Sequence, residues 1–155
     1  MNPFSLEGRT ALVTGANTGI GQAIAVAMAQ AGAEVIAAGR RDCDETLALM
    51  GSGRALRLDF ADPMAARDLF ASERIDILVN NAGILRRADA VDFTEADWDA
   101  VMDVNMKALF FTCQAFARAA LPRGAGKIVN IASLLSFQGG IRVPSYTASK
   151  HGVAG

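Results

Sequence analysis

The sequence predicts a doubly wound α/β domain: a parallel sheet with helices on both faces. Three observations carry this. Short apolar runs alternate with helical patterns. Those runs are continuous in apolar residues and do not alternate with polar ones. Residues able to bind or react gather just after the runs. At 155 residues the chain suits one domain over positions 1–155, long enough to bury a sizeable core. Apolar side chains make up 52% of it and charged ones 20%, which excludes a disordered segment.

The elements follow in order. Thr10 to Thr14 is a first strand, followed by a helix from about Ile20 to Ala31. Glu34 to Ala38 is a second strand, then a short helix about Glu45 to Met50 and a third strand from Ala55 to Leu58. Asp62 can cap and Pro63 suits a first turn, so a helix is expected to open there. Ile75 to Val79 is the fourth strand. Thr94, with Asp97 three residues on, caps a long helical region that runs to Leu121, where Pro122 and Gly124 stop it. Lys127 to Ala132 is the fifth strand, and a further helix begins near Ser145 or Tyr146. Trp98, Met102, Met106, Phe110 and Phe111 recur at helical spacing and are expected to pack in the core.

Charge and cysteine usage exclude some partners. Lys plus Arg is 15 and Asp plus Glu 16, a net charge of −1 with the signs mixed along the chain. No field gathers nucleic acid or an anionic membrane. No apolar stretch is long enough to span a bilayer, and Met1 to Arg9 lacks the basic and apolar regions of a signal peptide. Cys43 and Cys113 have no Cys or His nearby at metal-ligand spacing, so they read as reduced thiols of a cytoplasmic protein without a metal site.

In an open parallel sheet ligands bind beyond the carboxyl ends of the strands. After the first strand, Gly15-Ala16-Asn17-Thr18-Gly19-Ile20-Gly21 leads into a helix of small residues. Backbone there can approach a pyrophosphate, and the helix start offers N–H groups and positive dipole to the anion. Gly15, Asn17, Thr18, Gly19, Ile20 and Gly21 are therefore candidate dinucleotide contacts. After the second strand stands Gly39-Arg40-Arg41. A carboxylate there would bind the ribose 2′-hydroxyl of NAD, whereas Arg40 can pair with the 2′-phosphate of NADP, and Asp42 or Asp44 could serve the hydroxyl instead. Asp59 ends the third strand and could accept from the adenine amino group, or serve only as a local cap. Asn80-Asn81-Ala82-Gly83 ends the fourth strand, where Asn81, Ala82 and Gly83 allow a ribose close approach.

Tyr146 and Lys150 lie four residues apart at a helix start and share a face. A phenol ordinarily titrates near 10, so a proton relay at neutral pH needs a cation beside it. Ser133 ends the fifth strand, placed to hydrogen-bond an oxygen that alternates between hydroxyl and carbonyl. His151 lacks a carboxylate partner in the pattern and reads as an ordinary helix residue.

Taken together, Thr14-Gly15-x-x-x-Gly19-x-Gly21, Asn80-Asn81-Ala82-Gly83, Ser133 and Tyr146-x-x-x-Lys150 resemble, in order and spacing, the short-chain dehydrogenase/reductase superfamily of the extended Rossmann type. The resemblance implies hydride transfer between NAD or NADP and an alcohol or ketone. It also implies that Ser133 polarises the substrate, Tyr146 transfers the proton, and Lys150 assists Tyr146 and binds the nicotinamide ribose. Asn105 matches the family's helix asparagine, which holds a water in a relay to the lysine. A poor helix former inside a long helix agrees with a local kink. The segments Asp76 to Arg87 and Ile131 to Lys150, with Phe4-Ser5-Leu6-Glu7-Gly8, are similar more narrowly to the superfamily's sugar-acid dehydrogenases. That implies a sugar-acid substrate, a cytoplasmic role in uronate and pectin breakdown, NAD as the usual cofactor, and a homodimer or homotetramer, with the apolar helix from Ala108 to Leu121 at a subunit interface. A substrate carboxylate calls for a cation, and Arg87 or Arg142 lies on the loop after the fourth or fifth strand. The alternatives are a 3-oxoacyl or general carbonyl reductase of the superfamily, or a non-catalytic dinucleotide-binding module. The family pattern continues with two more strands and a substrate-covering loop, so the resemblance implies a chain incomplete at its C-terminus, with the fifth strand at the sheet edge.

Overall fold

Strands that are apolar on both faces must be covered on both faces, and the computed structural model, which describes residues 3–155, has that arrangement. The five strands are β1 (Thr10–Thr14), β2 (Glu34–Gly39), β3 (Arg54–Arg57), β4 (Ile77–Asn80) and β5 (Lys127–Asn130), in the order β3-β2-β1-β4-β5. Every neighbouring pair is parallel. Positions 1 and 2 of the N-terminal segment lie outside the described residues. Among the described residues no helix is long and apolar enough to cross a membrane.

Alternate residues of the central strands feed two cores. Leu12, Ile36 and Leu78 face one side with Phe70 and Phe116, whose rings meet edge to face at 5.8 Å. Ala11, Val13, Val35, Ala37 and Val79 face the other side, against Ala25 of α1 (Gly19–Gln30) and Met50 of α2 (Asp44–Met50). Each large side chain buried in these layers contributes about 1.5–3 kcal/mol, several times an exposed ion pair at about 0.2–1 kcal/mol, so the two apolar layers and not the surface charges hold the sheet. The edges differ from the centre. β3 starts one residue earlier than expected and alternates in burial, and β5 is exposed along its length, including Ile128 and Val129.

Two expectations are corrected. No helix opens at Asp62. Asp59 and Asp62 each accept the N–H two residues on, at 3.0 and 2.9 Å, and successive turns lead to a short helix α3 (Leu69–Ser72). The carboxylates compete for the N–H groups a helix would use. The aromatic and Met stripe is not core. In α5 (Ala108–Ala120) the buried face is Ala108, Thr112, Phe116 and Ala120, four residues apart, and Phe110 lies opposite them, 58% exposed. Trp98 and Met106 are likewise exposed, since one apolar helix offers the sheet only one face.

The long helical region is interrupted at Asn105, where the sequence suggested a local kink, and Asn105 is buried there. Thr94 caps α4 (Glu95–Met102) by accepting from the Asp97 N–H at 3.1 Å. A π-helical turn over Asp103–Lys107 follows, with the Ala108 N–H donating to the Asp103 carbonyl five residues back, before α5 resumes. The last helix, α6 (Pro144–Ala154), has proline in its first turn and carries Tyr146 and Lys150.

Candidate functional site

The strand order reverses direction between β1 and β4, which opens a crevice at their carboxyl ends. Two side chains close the join beneath it. The buried Thr14 Oγ1 accepts from the backbone N–H groups of Asn81 at 3.0 Å and Ala82 at 2.9 Å. In return Asn81 Nδ2 donates to the carbonyls of Thr14 at 3.0 Å and Gly15 at 3.3 Å. Gly21 packs directly on this join: a Cβ there would stand 2.2 Å from the Gly15 oxygen and 2.4 Å from Asn81 Nδ2. On the other side Thr46 Oγ1 donates to the Ala16 carbonyl at 2.7 Å and accepts from Gln22 at 3.1 Å, so α2 also fixes the glycine-rich loop.

Above the join lies a cleft of about 390 Å³, lined by Gly15, Asn17, Thr18, Arg40, Asp59, Ala82 and Gly83 from the sequence-derived set. The start of α1 borders it. Thr18 makes no side-chain cap bond and the first turn holds no acidic residue, so the N–H groups and positive end of that helix are uncompensated. Gly19 has φ +60° and no atom within 4 Å of where a side chain would begin, which leaves room beside those groups. Arg40 and Arg41 both line the cleft beyond β2, while Asp42 and Asp44 do not. Asp59 lines it too, with one carboxylate oxygen on the Ala61 N–H at 3.0 Å. An anionic dinucleotide fits these features.

A second group of residues follows β5. Ser133 begins a short turn over Leu134–Ser136; its Oγ accepts the Leu135 N–H at 3.2 Å, and its own N–H donates to Ser136 Oγ at 3.2 Å. Ser136 Oγ in turn donates to the Lys150 carbonyl at 2.7 Å. Lys150 is 5% exposed; its Nζ donates to the Ile131 carbonyl at 2.5 Å and stands 5.8 Å from the centre of the Tyr146 ring. Burial pushes the Lys150 ammonium below its ordinary 10.5, so it loses its proton at a lower pH than an exposed lysine.

Asn105 joins the two groups of residues. Its Oδ1 accepts the Ile84 N–H at 2.8 Å, and its Nδ2 donates to the Ile84 carbonyl at 2.9 Å and to Ser149 Oγ at 3.2 Å. Ser149 Oγ donates onward to the Tyr146 carbonyl at 2.8 Å. The π-helical turn thus presents one amide to the loop after β4 and to the helix bearing Tyr146.

The family model described as short chain dehydrogenase matches residues 9–155. The chain belongs to the short chain dehydrogenase family. It is 54% identical over 161 residues to the 2-dehydro-3-deoxy-D-gluconate 5-dehydrogenase of Bacillus subtilis (strain 168), over 98% of this chain and 63% of that protein. It is 47% identical over 165 residues to the enzyme of the same name from Escherichia coli (strain K12), over 100% of this chain and 65% of that one. A crystal structure from Agrobacterium tumefaciens, provisionally named a 2-deoxy-D-gluconate 3-dehydrogenase and holding NADP, is 69% identical with a TM-score of 0.97, over 99% of this chain and 65% of that one. The chain spans under two thirds of the length of these relatives.

Against this dehydrogenase fold the sequence-derived residues divide. The cleft takes seven of them, and Ser133, Tyr146 and Lys150 form the group after β5. Gly19, Ile20 and Gly21 shape the α1 start without lining the cleft. The Asn81 amide is committed to Thr14 and Gly15, and the Asn105 amide is committed to Ile84 and Ser149, because each closes a join between elements. Arg142 is paired with Asp89 at 3.0 Å, whereas Arg87 forms no ion pair among the described residues. His151 Nδ1 meets the Thr147 carbonyl at 2.9 Å, within its own helix. The sequence pattern passed over Thr46, Ser136 and Ser149, whose single hydroxyls carry no periodic signal. Gly21→Ala should lower stability by about 1–3 kcal/mol in urea denaturation, since backbone oxygen cannot yield to the new Cβ; unchanged stability would mean the join has slack.

Proposed function

We propose that this chain supplies the dinucleotide-binding and catalytic part of a dehydrogenase that interconverts a secondary hydroxyl and a ketone on a sugar acid, such as 2-dehydro-3-deoxy-D-gluconate or 2-deoxy-D-gluconate. The carrying observation is that Asn105, Ser136 and Ser149 bind the residues after β5 to the switch-point cleft, so Ser133, Tyr146 and Lys150 share one framework with the loop after β4. The likeness to relatives named for these substrates supports the substrate class.

The uncompensated N–H groups at the start of α1 would hold the diphosphate, and Ala82 and Gly83 would border a ribose. Arg40 and Arg41, with no carboxylate lining the cleft beyond β2, favour a 2′-phosphate and so NADP over NAD. The NADP held by the Agrobacterium structure supports this. When bound, the dinucleotide supplies the acceptor or donor of the hydride. The chain's own part is the proton and the oxygen. Ser133 Oγ already accepts an N–H, which leaves its hydroxyl proton to donate to the substrate oxygen. The Tyr146 phenolic oxygen takes the hydroxyl proton in oxidation and returns it in reduction. The Lys150 ammonium beside the ring favours the charge that forms there.

Arg87 is assigned to the substrate carboxylate, because Arg142 and Arg86 are engaged by Asp89 and Asp97. The exposed apolar face with Met106 and Phe110 supports assembly with further copies into a dimer or tetramer, and the substrate class fits a cytoplasmic place in sugar-acid breakdown.

Two experiments test the reading. With 2-deoxy-D-gluconate and NADP, Tyr146→Phe should lower kcat by roughly 10²-fold or more while NADPH affinity stays within about twofold. Retained turnover would remove Tyr146 from the chemistry, and a preference of the wild type for a neutral ketone would select a general carbonyl reductase instead. Arg87→Ala should raise KM for the acid by about 10-fold or more and leave KM for a neutral polyol little changed; equal effects would remove Arg87 from the carboxylate.

A further inference from the structure

Ser136 is 5% exposed, and its single hydroxyl is used twice. It accepts the Ser133 N–H at 3.2 Å and donates to the Lys150 carbonyl at 2.7 Å. The first bond closes the turn that Ser133 caps, as the partner residue of a capping box does. The second bond is not needed for that turn. It reaches fourteen residues along the chain to α6, one helical turn beyond Tyr146. A hydroxyl bonded at both its donor and acceptor sites, and buried, has little freedom to reorient.

We propose that Ser136 is a positioning residue of the dehydrogenase reaction: it fixes the Ser133 backbone against α6 and so sets how the Ser133 hydroxyl and the Tyr146 phenol meet one substrate oxygen. The proposal rests on the dehydrogenase reading above. It assigns Ser136 no contact with substrate or dinucleotide. A geometric link of this kind matters because proton donor and hydrogen-bond donor must converge on one atom, and a shift of a fraction of an ångström lowers the rate more than it lowers binding. Alanine at 136 would nearly keep the volume and lose both bonds. Threonine would keep both.

Three readouts test it on the purified protein: kcat, KM for NADPH, and hydrogen exchange of the Ser133 amide. Ser136→Ala should speed exchange at Ser133 by at least about tenfold, because that N–H loses its acceptor. It should lower kcat by roughly 10-fold with KM for NADPH within about twofold. Ser136→Thr should return exchange and kcat to within about threefold of wild type. Unchanged exchange and kcat in Ser136→Ala would overturn the proposal. So would a folded Ser136→Thr as impaired as the alanine variant, or kcat and NADPH affinity failing together, which would mean general loosening. Should Ser136→Ala not fold, Ser136→Cys, which keeps the volume and weakens both bonds, is held to the same criteria. A wild type that turns over neither sugar acid nor ketone would overturn the dehydrogenase reading, and exchange at Ser133 would still decide whether Ser136 ties the two segments.

Discussion

The join between the carboxyl ends of β1 and β4 sets where the glycine-rich loop, the start of α1 and the loop after β4 can lie. A parallel sheet that winds in both directions must part its connections somewhere, and here they part between these two strands. Left alone, the join would expose the N–H groups of Asn81 and Ala82 and the carbonyls of Thr14 and Gly15. Thr14 and Asn81 satisfy all four with two side chains. Each buried polar group left without a partner would cost about 1–3 kcal/mol, so the join is held by satisfaction of backbone groups and not by apolar area. Gly21 is a consequence of it, since only a residue without a side chain lets α1 begin against that backbone.

The same device recurs further out. Thr46 holds the loop after β1 to α2, Asn105 holds the loop after β4 to α6, and Ser136 holds the turn after β5 to α6. Small polar side chains bridge loops whose backbone groups no sheet or helix satisfies. The π-helical turn at Asp103–Lys107 belongs to this scheme, because it brings the buried Asn105 to the loop backbone at Ile84. Ser133, Tyr146 and Lys150, on separate segments, are thereby held on one framework, the arrangement that the proposed reaction at a single substrate oxygen calls for.

Much of the fold was legible in the sequence where periodicity or punctuation speaks. Continuous apolar runs gave β1, β2 and β4 to within a residue or two, and the glycines after β1 and the Tyr146 to Lys150 spacing pointed to the cleft and to the residues after β5. Asp62 and Pro63 misled because Asp59 and Asp62 use their carboxylates in local turns, a choice that a capping pattern does not distinguish from a helix start. The stripe from Trp98 to Phe111 misled because helical spacing identifies an apolar face without saying what covers it. The amides of Asn81 and Asn105, read from the sequence as cofactor-side and relay positions, turn inward instead, onto backbone at Thr14, Gly15 and Ile84 and onto Ser149. Thr46, Ser136 and Ser149 were invisible, since one hydroxyl's partner is set by tertiary contact alone.

If the β1–β4 join shapes the cleft for a dinucleotide, binding should weaken when the join is loosened, which calorimetric titration of NADPH into the wild type and into Thr14→Val reads out, a change of similar shape that removes the acceptor of two N–H groups. Binding should be saturable in the wild type and at least about tenfold weaker in a Thr14→Val variant that keeps its α/β circular dichroism. Undiminished binding to a folded Thr14→Val, or no binding of NADPH or NADH to the wild type, would contradict this role of the join.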